Sequence, residues 1–79
     1  MAINLSSEDK EIILKVGLRV KKLRNNLGIS QDELALRADT TKSQVFRIEH
    51  GEINCTLATL NRFAKALEID LKQLVDFRT

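Results

Sequence analysis

The segment from Ser30 to Gly51 constrains the fold more than any other part of the chain, because it predicts two short helices joined by a tight turn. Ser30 is followed three positions later by Glu33, the spacing of a capping box in which each side chain bonds the other residue's backbone amide. A helix is therefore predicted from about Gln31 to Ala38. The short polar residues that follow favour a turn.

A second helix is predicted from Lys42 to His50, with Thr41 as its N-cap and Gly51 at its end, as is typical of a C-terminal glycine. Helical spacing turns the apolar residues of both helices inward. These are Leu34, Ala35, Ala38, Val45 and Ile48. The polar outer face of the second helix then consists of Lys42, Ser43, Phe46, Arg47 and His50.

Three further helices are predicted around this pair, so the expected fold is all-α with five helices. The first runs from about residue 7 to 26 and ends before Gly28; the fourth starts after Thr56 and the fifth after Asp70. Their apolar residues recur at helical spacing. The predicted inner residues are Ile12, Ile13, Val16, Val20, Leu23 and Leu27 in the first helix, Leu57, Leu60, Phe63, Ala64 and Leu67 in the fourth, and Leu71, Leu74 and Val75 in the fifth.

Length and composition fit one small domain. A chain of 79 residues is near the lower limit at which one core is stable without disulfides or metals. The one cysteine, Cys55, cannot form an internal bridge, and no signal peptide or membrane-length apolar run is evident, so we expect a cytoplasmic location. With no linker or repeat, residues 1–79 are predicted to form a single domain.

The net charge of +2 is a weak indication of a nucleic-acid partner. Its distribution is more informative, because residues 1–28 carry six basic and three acidic residues, a balance of +3. The basic residues of this segment are Lys10, Lys15, Arg19, Lys21, Lys22 and Arg24. Composition alone does not distinguish a binding surface from a solvated helix face.

Residues 31–51 resemble the helix-turn-helix of the lambda repressor, 434 repressor and Cro type, the XRE-like family. The resemblance extends through LRNNLGISQDELA, RIEHG and TLATLNRFAKALEIDLKQL and covers about residues 16–77 without insertions. It implies a five-helix bundle of the lambda-repressor-like DNA-binding domain type. The implied function is sequence-specific, repressor-like regulation of transcription with double-stranded DNA as the partner. A closely related interpretation is a controller protein of a restriction-modification operon.

The resemblance also implies roles for individual residues. The second helix of the motif enters the major groove in such proteins, and Lys42, Ser43 and Arg47 match positions that contact bases there. Phe46 either packs on a thymine methyl group or contacts the first helix. Phosphate contacts are implied for Gln31, and the further phosphate candidates are Thr41, Gln44, His50 and Asn54.

Arg24 and Glu49 match positions that form an ion pair in the resembled family, linking the first helix to the end of the recognition helix. If the pair is partly buried, loss of one partner leaves an unpaired charge and costs about 3 kcal/mol. The alternative is two independent surface charges, which would contribute little to stability.

A homodimer is expected, because one short helix reads few base pairs and a two-fold pair places two such helices about 34 Å apart, one turn of DNA. The candidate dimer surface is Leu71, Leu74, Val75 and Phe77, unless these residues only close the core. The extended first helix also carries Leu14 and Leu18 on its outer flank, a second candidate surface for a dimer or another protein. This flank supports an alternative function, an antitoxin-type or other protein-binding module whose DNA binding is autoregulatory.

Enzymatic activity is not predicted, because the sequence offers no paired acids in a pocket, no nucleophile beside a base and no phosphate-binding glycine loop. One histidine, His50, and one cysteine, Cys55, do not make a zinc ligand set, so neither a metal nor a cofactor is expected.

Overall fold

The computed structural model describes residues 4–78, which form five helices and no strand. The helices are α1 (Ser7–Asn26), α2 (Gln31–Arg37), α3 (Lys42–Glu49), α4 (Leu57–Ala66) and α5 (Leu71–Leu74). The all-α, five-helix prediction is confirmed, and the predicted ends of α2 and α3 differ by one residue each. Residues 1–3 and 79 of the predicted domain lie outside the described residues, so its full extent stays a prediction.

Side-chain hydroxyls cap the starts of the first four helices, each accepting a hydrogen bond from the backbone amide three residues later. These cap residues are Ser6, Ser30, Thr41 and Thr56. A reciprocal capping box forms between Ser6 and Asp9. The one predicted for Glu33 is wrong, because its carboxylate accepts a hydrogen bond from Arg37 Nε at 2.9 Å one turn later instead.

The core is formed mainly by α2, α3 and α4, with Val20 from the middle of α1 and Leu74 from α5, and the predicted inward faces of α2 and α3 are confirmed. Four residues predicted to face inward are instead at least 40% exposed: Ile12, Leu27, Leu57 and Val75. Leu27, Leu57 and Val75 lie at or just beyond helix ends, and Ile12 lies at the edge of the apolar face of α1. Helical spacing gives the face of a residue but not the point along the helix at which its neighbours end.

Gly17 brings α1 into close contact with the end of α3. A Cβ atom at this position would lie 2.1 Å from the carbonyl oxygen of Ile48 and 3.1 Å from that of Glu49. Only a residue without a side chain allows this approach of two helix backbones. The sequence pattern did not predict this contact, which fixes the position of α3 on α1.

The C-terminal part of the chain packs on α1, and one prediction for it is corrected. Leu74 is fully buried in the core, so it cannot belong to a dimer surface. Leu71 and Phe77 are half-buried, and Val75 is 43% exposed. Arg19 Nε donates to the carbonyl oxygen of Gln73 at 3.2 Å, which ties α5 to α1. Among residues 4–78, no helix has the length and apolar character needed to cross a membrane.

Candidate nucleic-acid interface

The outer face of α3 is an exposed, mainly polar surface. Lys42, Ser43, Phe46 and Arg47, the four residues predicted to contact bases, are all exposed on it. Of the predicted phosphate contacts, Thr41, His50 and Asn54 are exposed, while Gln31 and Gln44 are half-buried. The fold thus presents α3 side chains outward while Val45 and Ile48 hold the opposite face in the core.

Lys42 and Arg47 each form a long, solvent-exposed ion pair with an acidic residue. Lys42 Nζ lies 3.9 Å from Asp32 Oδ2, and Arg47 Nε lies 3.9 Å from Glu52 Oε1; all four side chains are at least half exposed. Ion pairs of this kind contribute little free energy, so the cations can exchange them for another partner. The two acids also lower the local positive potential, which weakens non-specific attraction to a polyanion.

Phe46 stacks on His50, with ring centroids 3.9 Å apart and an interplanar angle of 25°. His50 Nδ1 lies 2.8 Å from the carbonyl oxygen of Phe46, and because a carbonyl only accepts, Nδ1 must carry the donated proton. Nε2 is then the ring nitrogen left for a further polar partner. Phe46 itself remains 45% exposed.

The structure brings Arg24 and Glu49 together below this face. Arg24 Nε and Nη2 donate to the two carboxylate oxygens of Glu49 at 2.7 and 3.1 Å, and Arg24 Nη1 donates to the carbonyl oxygen of Ile29 at 2.9 Å. Glu49 is 2% exposed. The hydrogen bonds that Arg24 donates to Glu49 raise the pKa of Arg24, against the opposing effect of burial. This is a buried bidentate pair, and it is not two independent surface charges.

Gln31 joins this pair, a contact that the sequence did not indicate. Its Nε2 donates to Glu49 Oε1 at 3.1 Å, so the carboxylate binds α1, α2 and α3 at once. An amide nitrogen has two hydrogens, and Gln31 uses one of them here, which leaves the second for a phosphate oxygen. The hydrogen bond to Glu49 therefore orients the Gln31 side chain and leaves one of its N–H groups available to another acceptor. No spacing rule signals this contact, because the two residues lie in different helices.

An apolar groove of about 240 Å³ lies beside the end of α3, with Asn54 at its rim. It is lined by Ile12, Ile13, Val16, Ile48, Ile53, Cys55, Leu60 and Val75. Burial raises the pKa of the Cys55 thiol above its ordinary value of 9.0, which lowers the fraction present as the reactive thiolate. Within residues 4–78, no cluster of histidine, cysteine and acidic side chains has the makings of a metal site.

The chain belongs to the helix-turn-helix family, whose model matches residues 20–74. Its members of the XRE-like type are DNA-binding transcription regulators, and so is this protein. The resemblance noted in the sequence is thereby confirmed.

Three individual proteins show how far the similarity reaches. Over 69 residues the chain is 33% identical to control protein C.BamHI of Bacillus amyloliquefaciens, covering 86% of this chain and 85% of that protein. The crystal structure of the restriction-modification controller protein C.AhdI from Aeromonas hydrophila is 34% identical, covers 78% of this chain and 94% of its own, and gives a TM-score of 0.77. The hypothetical transcription factor NHTF from Neisseria is 25% identical, with coverages of 96% and 85% and a TM-score of 0.80.

Proposed function

We propose that this regulator binds a palindromic operator as a homodimer and acts in a repressor-like manner, with α3 of each copy in the major groove. The observation that carries the proposal is the orientation of α3. Its inner face is fixed by the core and by Glu49, while its outer face displays four side chains suited to base edges. A helix fixed in this way can present the same side chains to every site it meets.

The base contacts are assigned to Lys42, Ser43, Phe46 and Arg47. Arg47 bonds the two acceptors of a guanine edge, and Lys42 bonds either guanine or phosphate. Phe46 packs on a thymine methyl group, supported by its 45% exposure and by the His50 ring that holds it in place. Phe46 stacks on His50, the C-cap of α3. This stacking partner favours a contact with thymine over packing on α1.

The phosphate contacts are assigned to Gln31 at the start of α2, to Thr41 and Gln44 at the start of α3, and to His50 and Asn54 at and after the α3 end. Gln31 uses its second amide hydrogen. The Thr41 hydroxyl accepts a hydrogen bond from the backbone N–H of Gln44 at 3.1 Å and still has its own proton to donate. His50 contributes through Nε2, because Nδ1 is used by the Phe46 carbonyl oxygen.

For the dimer we propose the exposed part of the α5 end, Val75 with the half-buried Leu71 and Phe77. Buried Leu74 supports this surface from within the core. A two-fold pair would place the two α3 helices about 34 Å apart, in successive major grooves on one side of the DNA.

The proposed setting is control of a restriction-modification operon. This rests on C.BamHI, described as a control protein, and C.AhdI, described as a restriction-modification controller protein, which match 86% and 78% of the chain. Endonuclease and methyltransferase genes beside this gene would support it. The second candidate is an antitoxin-type protein-binding module, favoured by the exposure of Leu14 and Leu18, 42% and 52%. A neighbouring toxin gene would support that candidate instead.

The test is selection of bound sequences from a random duplex pool at moderate salt, because salt sets the amount of non-specific binding. Enrichment of a palindrome with half-sites one helical turn apart would support the dimeric regulator. Enrichment of a lone half-site would remove the dimer from the proposal. A pool without enrichment would contradict operator recognition by the chain alone and favour the partner-dependent candidate.

A further inference from the structure

The outer face of α1 combines two exposed leucines with charges of opposite sign at its two ends. We define this outer face by its exposed residues at helical spacing: Glu8, Glu11, Leu14, Lys15, Leu18 and Lys22. The acids come first along the helix, and the lysines come in the middle and at the end. The leucines lie between the outermost acid and the outermost lysine, and no described part of the chain covers them fully.

We propose that a second copy of this chain docks antiparallel on the outer face of α1, around a two-fold axis near residue 16. The midpoint of Leu14 and Leu18 is residue 16, and the midpoint of Glu11 and Lys22 lies between residues 16 and 17. The two midpoints are therefore less than about 1 Å apart along a helix that rises about 1.5 Å per residue. A single two-fold axis therefore places Leu14 opposite Leu18 and Glu11 opposite Lys22 of the other copy.

Around this axis the face is complementary to itself. Leu14 of each copy meets Leu18 of the other, and Glu11 of each copy meets Lys22 of the other, so every contact occurs twice. In the monomer Glu11 has only an exposed ion pair, to Lys15 at 3.4 Å. None of the ion pairs formed within residues 4–78 involves Lys22. Both charges are thus available to a second copy.

The surroundings of Leu18 also accept an incoming helix. Leu18 and Phe77 line a surface depression together with Lys15, Arg19, Lys22 and Asp76. Two apolar side chains beside three cations and one acid fit a segment that is both apolar and acidic. The first half of the outer face of α1, with Glu8, Glu11 and Leu14, is such a segment. This charge match is the reason to assign the site to a second copy of the chain.

This contact goes beyond the proposed function, because it is centred on α1. Of the residues proposed for the dimer surface it borders Phe77, and it leaves Leu71 and Val75 free. It is small, since two leucines per copy form its apolar centre, and its ion pairs are exposed to solvent. We therefore expect a weak association that salt weakens further. Two different two-fold contacts on one protomer would join dimers to each other.

The test is sedimentation of the full chain over a range of concentrations, without DNA and at low salt. Leu18→Asp should abolish one association step, while Val75→Asp, at the α5 end, should leave that step intact. Glu11→Lys and Lys22→Glu should each lower the association constant about five- to tenfold, because each places like charges together twice. The double variant, with both charges exchanged, should restore it to within about twofold.

Two results would overturn the proposal. One is that Leu18→Asp sediments like the unchanged protein at every concentration, which would leave the face to a different protein or to solvent. The other is that the double charge variant associates as weakly as the single variants. Binding of Leu18→Asp to a DNA half-site is measured in parallel, because it should be unchanged and reports separately on DNA recognition.

Discussion

Glu49 at the end of α3 accepts two hydrogen bonds from Arg24 of α1, at 2.7 and 3.1 Å, in a position that is almost completely closed to solvent. Its carboxylate also accepts from Gln31 of α2 at 3.1 Å. Both motif helices and α1 therefore meet at one charged group. Burial of this kind makes the group costly to desolvate and costlier to leave unpaired.

Glu49→Ala is expected to lower the free energy of unfolding by about 3–5 kcal/mol, because it leaves the Arg24 guanidinium buried without its counter-charge. Urea unfolding measures the loss. Glu33→Ala is the matched control, since Glu33 also pairs with an arginine, Arg37, but on the surface. That control should lose less than about 1 kcal/mol. Equal losses in the two variants would show that the buried pair has no special role.

Gly17→Ala is expected to destabilise the protein by about 2 kcal/mol or more, because the new Cβ atom overlaps the Ile48 carbonyl oxygen and the helix backbones must separate. In an unobstructed helix the same change would be stabilising by up to about 1 kcal/mol. Thermal or urea unfolding measures the difference. Gly28→Ala is the control, since its Cβ meets open space and only the positive φ of 70° opposes it. A smaller effect at Gly17 than at Gly28 would contradict the close helix contact.

Asp9 is expected to make folding pH-dependent at the acid end. The Ser6 backbone amide, and then its hydroxyl, lower the pKa of Asp9 below its ordinary value of 3.8. A group whose pKa is lower in the folded state stabilises fully above its unfolded pKa, and this contribution is lost as the pH falls through the folded pKa. NMR titration should place the Asp9 carboxyl below 3.8 in the folded protein. Ser6→Ala removes the hydroxyl and keeps the backbone amide, so it should raise the pKa of Asp9 only in part; an unchanged value would exclude the hydroxyl as a cause.

Arg47→Ala is expected to relax base preference at one operator position and to cost about 1–3 kcal/mol in binding. Gln31→Ala should instead weaken binding to all sequences alike, because phosphate contacts carry no base information. Fluorescence anisotropy with the selected operator and single-base variants measures both. Unfolding of Gln31→Ala is followed as well, since Gln31 also bonds Glu49. If the two variants lost affinity with the same sequence profile, Arg47 would not read bases.

Cys55 is expected to react slowly with a thiol reagent at about pH 8, because burial raises its pKa and reduces the thiolate fraction. The rate should increase severalfold when the chain is unfolded in urea. Free cysteine in the same urea concentration corrects for the effect of the denaturant on the reagent. An equal rate in the folded and unfolded chain would show that the groove leaves the sulfur open.

Local signals in the sequence were sufficient for the helices and for the faces of α2 and α3. Caps such as Ser30 and Thr41 set helix starts, and the spacing of Val45 and Ile48 set the buried face. The signals failed at Leu57 and at Glu33. Leu57 has core spacing but lies at the exposed first position of α4, and the carboxylate of Glu33 turned to an arginine one turn away.

In the candidate interface too, some features were predictable from the sequence and others were not. Outward exposure of Lys42 and Arg47 follows from periodicity within α3. The bond from Gln31 to Glu49 and the Gly17 contact depend on how helices remote in sequence approach each other, which periodicity does not describe. The Phe46–His50 stack has the spacing of neighbours on a helix, so its i to i+4 separation was a usable signal.

The residues around Glu49 and the residues on the outer face of α3 are expected to change differently in evolution. Arg24, Gln31 and Glu49 set the angle between the motif helices, and none of them belongs to the exposed row that faces outward from α3. Lys42, Ser43, Phe46 and Arg47 can therefore be exchanged without disturbing the scaffold. With the base contacts proposed above, a lineage would acquire new operators by changing those four positions while the three beneath them stay the same.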